Sequence, residues 1–122
     1  MPTKPILLVT RKLPDAVLER AARDYDARIN QADEVYGPDE LIARAAGCDA
    51  IVTCSTENYS ADVIERLPAS VRAVATFSVG IEHFDLEAAK KRGLIMTNTP
   101  DVLTDSTADI TMLVLLGAAR RA

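Results

Sequence analysis

A short turn after an apolar run carries the clearest chemical potential in this sequence. Ser78, Val79 and Gly80 directly follow Arg72–Phe77, which has the composition of a buried strand. A glycine at such a point lets the backbone turn sharply and leaves successive N–H groups outward, a concavity that favours an anion. Two such bonds to a charged acceptor, each contributing about 1.5–3 kcal/mol, could orient a small carboxylate without any arginine. The alternative is that Gly80 merely makes a connection.

Three titratable residues follow this turn, and the sequence favours structural roles for them. His83 is the sole histidine of the chain, and no local carboxylate–histidine arrangement accompanies it. Glu82 and Asp85 could suggest a carboxylate pair, but solvent exposure and helix capping explain both. We therefore predict a turn position for His83 and a helix cap for Asp85.

The elements that must position this turn alternate regularly along the chain. Short β-rich runs occur at Ile6–Thr10, Asp26–Asn30, Ala50–Cys54, Arg72–Phe77 and Leu94–Asn98. Helix-period segments separate them, with predicted buried stripes at Val17, Leu18, Ala21, Ala22 and Tyr25 and at Leu41, Ile42, Ala45 and Ala46. Ser60 and Asp85 are predicted to begin a third and a fourth helix, Gly93 to end the fourth, and Thr104 or Asp105 to begin a fifth.

This strict alternation predicts a five-stranded parallel sheet with helices on both faces, an α/β fold of the flavodoxin-like type. The third and fourth strands read as nearly unbroken apolar runs, as in strands covered on both sides. Ligands bind such sheets at the carboxyl ends of the strands. Hydroxyls, amides and the glycine turn collect there, including Ser55 after the third strand and Asn98 after the fifth.

Composition narrows the possible partners. The net charge of −4 and the absence of a basic stripe argue against nucleic acid and anionic membranes. Cys48 and Cys54 offer neither a disulfide framework nor a metal spacing, so we predict two small buried groups and a cytoplasmic setting. No signal peptide is visible, and the apolar run Ile110–Ala119 is too short to span a bilayer.

Two other protein classes share this layout but need residues that the sequence lacks. A phospho-receiver signalling module needs acidic residues after the first strand and a phosphorylatable aspartate ending the third, where Thr10–Lys12 and Thr53–Cys54 stand. A flavodoxin-type carrier needs a hydroxyl- and glycine-rich loop after the first strand. A non-catalytic module that binds a carboxylate through the same amides stays open.

The stretch SVGIEHFDLEAAKKRGLIMTNTPDVLTDSTADITMLVLLGAARR, residues 78–121, resembles the D-2-hydroxyacid dehydrogenases, and among them the glyoxylate/hydroxypyruvate reductases. The segments ILLVTRKLPDAVLERAA and DELIARAAGCDAIVT also fit, so the resemblance covers essentially the whole chain. The most specific part is TPDVLTDSTAD, residues 99–109. A departure occurs at Glu82, where aspartate is usual in that family.

The resemblance implies a site. The backbone amides of Val79 and Gly80 would hold the substrate carboxylate, with Ser78 in the same loop. Ser55 would line the other wall, and Thr107 would touch an NAD or NADP cofactor. The substrate would be a small 2-keto acid, reduced by hydride transfer to the D-2-hydroxy acid.

The resemblance also implies an incomplete enzyme. The family's glycine-rich nucleotide turn and its catalytic histidine, glutamate and arginine come from later sequence, and no G-x-G-x-x-G occurs here. We therefore expect no catalytic residue in this chain and no metal. Residues 1–100 would form the substrate domain, and residues 101–122 a crossover into a truncated nucleotide domain. The chain alone is expected to be inactive.

The last predicted helix is apolar almost all round, so it should require burial on every side. Burying each large side chain would contribute roughly 1.5–3 kcal/mol. We therefore expect a homodimer, or self-association through the helix Asp105–Arg121.

Overall fold

The computed structural model describes residues 3–121, in which five strands alternate with five helices. The elements are β1 (Ile6–Val9), α1 (Asp15–Asp24), β2 (Asp26–Ile29), α2 (Pro38–Arg44), β3 (Ala50–Thr53), α3 (Ala61–Arg66), β4 (Ala73–Thr76), α4 (Leu86–Arg92), β5 (Ile95–Thr97) and α5 (Thr104–Ala119). Each predicted strand is present but one or two residues shorter. All neighbouring strands pair in parallel, in the order β2-β1-β3-β4-β5. The predicted α/β architecture is confirmed.

The helices cover the two faces of the sheet unequally. On one face, Leu8, Ile51 and Val74 pack with buried side chains of α2, α3 and α4 in the larger core. On the other face, Leu7 and Val9 pack with α1 in a smaller cluster. The prediction that β3 and β4 are covered on both faces was therefore too strong. Their residues on the α1 side are half-buried, because a single helix covers that face.

The predicted stripe of α1 was wrong in part. Ala21 is buried and Leu18 half-buried, whereas Val17, Ala22 and Tyr25 are exposed. The reason is that α1 packs chiefly beside β2, at the edge of the sheet, and turns a narrow side inward. In α2, Leu41 and Ala45 are buried and Ile42 is half-buried, while Ala46 lies exposed.

The helix ends follow the predicted caps. The Ser60 hydroxyl accepts a bond from the Val63 amide, and the Asp85 carboxylate accepts one from the Ala88 amide at 2.9 Å. Gly93 ends α4 in the left-handed region at φ 75°. Arg92 donates to the Leu67 carbonyl at 2.9 Å and to two others beside it, so one guanidinium satisfies the carbonyls that the end of α3 leaves open.

The last helix differs from the other four. None of its described residues is buried, and Leu113, Val114 and Leu115 are each at least 60% exposed. Within residues 3–121, no helix combines the length and apolar character that crossing a bilayer requires.

Candidate functional site

A row of polar residues crosses the sheet where its strands end. Because the register pairs Ile29 with Val9, Val9 with Val52 and Thr53 with Thr76, the residues at this level lie side by side. In sheet order they are Asn30, Thr10, Thr53, Thr76 and Asn98. The first four are buried, and the hydroxyls of Thr10 and Thr53 lie 3.1 Å apart. Each strand thus ends in an uncharged hydrogen-bonding side chain.

The loop that follows β4, residues 77–85, is called the β4 loop below. The hydroxyl of its Ser78 bonds to neighbouring groups of the protein. The Ser78 hydroxyl lies 2.6 Å from the Thr76 hydroxyl and donates to the Gly80 carbonyl at 2.9 Å. Ser78 therefore braces the turn, and its hydroxyl is already engaged. The substrate contact that the resemblance implies for Ser78 stays a prediction.

The other two carbonyls of the turn are held by the end of β5. Thr99 donates its backbone N–H to the Ser78 carbonyl at 3.0 Å. Asn98 donates its side-chain amide to the Val79 carbonyl at 2.8 Å. All three carbonyls of the turn at Ser78, Val79 and Gly80 therefore have donors from the protein.

The N–H groups of the same turn are different. Across residues 3–121, neither the Val79 nor the Gly80 amide donates to a protein acceptor. Both residues are half-buried. Two neighbouring free amides with engaged carbonyls can accept an anion such as a carboxylate.

An alanine at Gly80 would meet a neighbouring side chain, and no special backbone angle requires the glycine. Its φ lies outside the left-handed region, where Gly47 and Gly93 stand. A Cβ added at Gly80 would instead meet the Glu82 carboxylate oxygen at 2.4 Å. That contact is with the flexible end of an exposed side chain, which can move aside, and the predicted sharp turn stays a prediction.

His83 lies behind the turn. Its Nε2 is 3.1 Å from the Thr76 hydroxyl, and its ring packs on Phe84 with centroids 4.3 Å apart. Burial lowers the pKa of His83, which favours the neutral ring. These contacts agree with a structural role, as the sequence predicted.

Ser55 lies in the neighbouring loop after β3, residues 54–60, which we call the β3 loop. It follows Thr53 by two residues, as Ser78 follows Thr76, and the register pairs these threonines. The Phe77 amide donates to the Thr53 carbonyl at 2.7 Å, and the Tyr59 amide to the His83 carbonyl at 2.8 Å. The two loops therefore run side by side, joined at both ends, and Ser55 is exposed between these joins.

A buried carboxylate escaped the sequence reading. Glu57 is 1% exposed, and its Oε2 accepts bonds from Thr53 at 2.8 Å and Thr10 at 3.1 Å. Its Oε1 and the Tyr59 hydroxyl are buried without a hydrogen-bond partner among the described residues. Burial raises the pKa of Tyr59. The run Ser-Thr-Glu-Asn is typical of a solvated turn, so no local signal revealed this burial.

An ion pair links the loops that follow β1 and β2. Arg11 donates to Asp33 at 2.9 Å and to the Thr56 hydroxyl at 3.0 Å, so it joins three loops. The hydrogen bond from Arg11, with a second from the Lys12 amide, lowers the pKa of Asp33 to about 2. The Arg11 guanidinium is therefore engaged by Asp33 and Thr56, while the neighbouring Lys12 is exposed.

Thr107 is not brought to these loops. It lies in the first turn of α5, fully in solvent, and its amide bonds the Leu103 carbonyl at 2.9 Å. The cysteines lie elsewhere: Cys48 is buried and Cys54 half-buried, both unpaired, and burial raises the pKa of each thiol. No group of acidic, histidine and cysteine side chains able to hold a metal occurs in the described part of the chain.

A large open groove lies away from this edge. It measures about 1020 Å³ and lies between α3 and α4, bordered by Arg72 and Ile95 at the amino ends of β4 and β5. No convergent cluster of hydroxyls or amides borders it. The chemistry of the carboxyl edge, rather than cavity size, identifies the candidate site.

Several known proteins resemble this chain in sequence and structure. The sequence profile described as "D-isomer specific 2-hydroxyacid dehydrogenase, catalytic domain" matches residues 7–119. A glycerate dehydrogenase from Hyphomicrobium methylovorum is 39% identical over 120 residues, which are 98% of this chain and 37% of that protein. A glyoxylate reductase from Pyrococcus horikoshii is 38% identical over 118 residues, 96% of this chain and 35% of that protein.

A solved structure is also similar. It is the NADPH-dependent glyoxylate/hydroxypyruvate reductase from Sinorhizobium meliloti, in complex with NADP and malonate. Its TM-score is 0.74 at 29% identity, with 94% of this chain and 34% of that one covered. The chain spans about a third of the length of the curated relatives it matches. Because residues 7–119 match that profile, the chain belongs to the D-isomer-specific 2-hydroxyacid dehydrogenase family.

Proposed function

We propose that this domain binds the carboxylate of a small 2-keto acid of the glyoxylate/hydroxypyruvate class, as the substrate domain of an NAD(P)-dependent reductase that gives the D-2-hydroxy acid. The observation that carries the proposal is the pair of free amides at Val79 and Gly80, whose own carbonyls are engaged. Ser55 is proposed to line the opposite wall, from the neighbouring β3 loop.

The names of the relatives support this substrate class. They refer to glycerate and glyoxylate, both small carboxylic acids, and the Sinorhizobium meliloti reductase was solved with malonate, a dicarboxylate. A carboxylate presents two oxygens, which suits two adjacent N–H donors. With Arg11 bonded to Asp33, that guanidinium is already engaged, and the proposal assigns the carboxylate to the two amides.

The residues present do not fit a dinucleotide. Binding its pyrophosphate requires a glycine-rich turn between a strand and a helix, and here β1 is followed by Thr10-Arg11-Lys12-Leu13-Pro14. Thr107, at the start of α5, is the one residue for which we propose a cofactor contact. Whether the cofactor is NAD or NADP is decided outside these residues, and no hydride step is assigned to this chain.

We propose no proton donor among the described residues. His83 is engaged behind the turn with Thr76. We therefore propose that the 122-residue chain by itself does not oxidise NADPH in the presence of glyoxylate. The absorbance of NADPH at 340 nm measures this directly, and turnover by the purified chain would contradict it.

Binding can be tested on the same chain by titrating oxalate into ¹⁵N-labelled protein. We expect the largest shift changes at the amides of Val79 and Gly80, with smaller ones at Ser55. Acetone, a carbonyl compound without a carboxylate, is the control and should leave these signals in place. Unchanged signals with oxalate, or changes confined to the groove between α3 and α4, would overturn the proposed site.

We also propose the division into a substrate domain, residues 1–100, and a crossover with the first helix of a nucleotide domain, residues 101–122. The exposed apolar surface of α5 supports a homodimer or self-association through that helix. Light scattering across a concentration series should show association, and the double variant Leu113→Glu, Leu116→Glu should abolish it. A monomer at high concentration would contradict this. A cytoplasmic location remains a prediction.

A further inference from the structure

Glu57 is the most unusual residue at the carboxyl edge. A glutamate is almost never fully buried unless a partner balances it, yet this one is 1% exposed in a loop. No cation lies within ion-pair distance of it among residues 3–121. The pKa of Arg11 is raised, chiefly by its hydrogen bond to Asp33, and Glu57 contributes a smaller part.

The hydrogen bonds of Glu57 converge on a single oxygen. Its Oε2 accepts from the hydroxyls of Thr10 and Thr53, and from the Cys54 amide at 3.4 Å. The donors come from the ends of β1 and β3 and from the first residue of the β3 loop. The side chain therefore ties its own loop back onto two strands.

Ser55 lies between two anchored neighbours. Glu57 holds the Cys54 amide on one side, and Arg11 holds the Thr56 hydroxyl on the other. Ser55 itself is exposed. Its position therefore depends on bonds made by residues that do not face the site.

We propose that Glu57 is a positioning residue, which fixes the β3 loop so that Ser55 stands opposite the free amides of Val79 and Gly80. This inference rests on the proposed function, because it assigns the β3 loop as a wall of that site. Glu57 acts through Cys54 and the two threonines and touches no ligand.

The test measures oxalate affinity in the 122-residue chain by ¹⁵N NMR, together with amide exchange at Ser55 and Thr56. Glu57→Ala removes the acceptor and should raise the Kd for oxalate at least fivefold while exchange in the β3 loop accelerates. Glu57→Gln keeps an oxygen that can accept the same bonds and should stay within about twofold of the unchanged chain. Leu41→Ala, a core truncation in α2, controls for general destabilisation and should leave the Kd unchanged.

Should Glu57→Ala fail to fold, Thr53→Val decides, because it removes one donor at constant shape and should raise the Kd about twofold to threefold. An unchanged Kd and unchanged exchange in the folded variant would overturn the inference. If the unchanged chain does not bind oxalate, the proposed function fails. The exchange of Ser55 and Thr56 then still decides whether Glu57 fixes the loop.

Discussion

The β3 loop and the β4 loop begin at the same level of neighbouring strands and use their hydrogen-bonding groups in opposite ways. In the β3 loop, a buried carboxylate, Glu57, draws a backbone amide and two hydroxyls inward. In the turn Ser78–Gly80 of the β4 loop, the carbonyls are engaged, and the amides of Val79 and Gly80 are left free. The comparison shows that the backbone groups left free in a loop depend on which of them the surrounding protein engages. Engaged carbonyls leave the amides of the turn available for the proposed ligand.

Each loop also contains a glutamate, and the two differ in burial. Glu57 is enclosed, whereas Glu82 is exposed and lies against Gly80. The first prediction therefore compares the effects of replacing each glutamate by alanine. Glu57→Ala leaves buried donors without an acceptor, at a cost of about 1–3 kcal/mol for each group. We expect a loss of that order in the free energy of unfolding, measured with urea.

Glu82→Ala is the matched control for this prediction, since it truncates the same side chain in the adjacent loop. An exposed substitution of this kind should stay within about 0.5 kcal/mol. Equal losses for the two variants would remove the distinction between the loops.

The second prediction concerns the space above Gly80. Gly80→Ala places a Cβ against the Glu82 carboxylate, so the acidic group must move, and we expect a roughly tenfold weaker oxalate affinity, or about 1.4 kcal/mol. Unfolding should change little, because the site is at the surface. Titration by ¹⁵N NMR measures the affinity.

The double variant Gly80→Ala, Glu82→Ala isolates the cause of that loss. Removing the carboxylate removes the contact, so affinity should return toward that of Glu82→Ala alone. Failure to recover would show that the added methyl blocks the ligand itself.

The third prediction tests the outer support of the β3 loop. Arg11 bonds both Asp33 and Thr56, and the pKa of Asp33 is lowered to about 2 from an ordinary value of 3.8. A depressed carboxyl pKa stabilises the fold above the unfolded value, and this contribution is lost as pH falls from about 4 to about 2. The urea concentration at the unfolding midpoint should fall as pH is lowered through that window, and Asp33→Asn should make this midpoint less dependent on pH. An unchanged pH dependence in Asp33→Asn would count against the ion pair.

The smallest effect is expected at His83, within the β4 loop and behind its turn. Burial lowers its pKa below the ordinary 6.5, so the folded state binds a proton less readily than the unfolded state. Its contribution to stability is therefore present above pH 6.5 and declines as pH falls through the folded pKa. NMR titration of the ring should give a midpoint below 6.5. A midpoint above that value would mean that Glu82 outweighs burial.

Much of the fold could be predicted because it depends on local chemistry. Ser60, Asp85 and Gly93 bound their helices as predicted, since capping involves groups only a few residues apart. The positions of the strands and their parallel orientation follow from the alternation of strands and helices along the chain. The buried side of α1 could not be predicted from local chemistry. It depends on how many helices share the face of the sheet that carries Leu7 and Val9.

The candidate site divides along the same line. The sequence by itself determined the turn Ser78–Gly80, its place after a buried strand, and the resemblance to the dehydrogenase family. Tertiary structure decided which groups of that turn stay free, because the donors to its carbonyls come from the Ser78 hydroxyl and from Asn98 and Thr99 at the end of β5. It also enclosed Glu57, since the hydroxyls that surround this carboxylate belong to strands joined only by the register of the sheet.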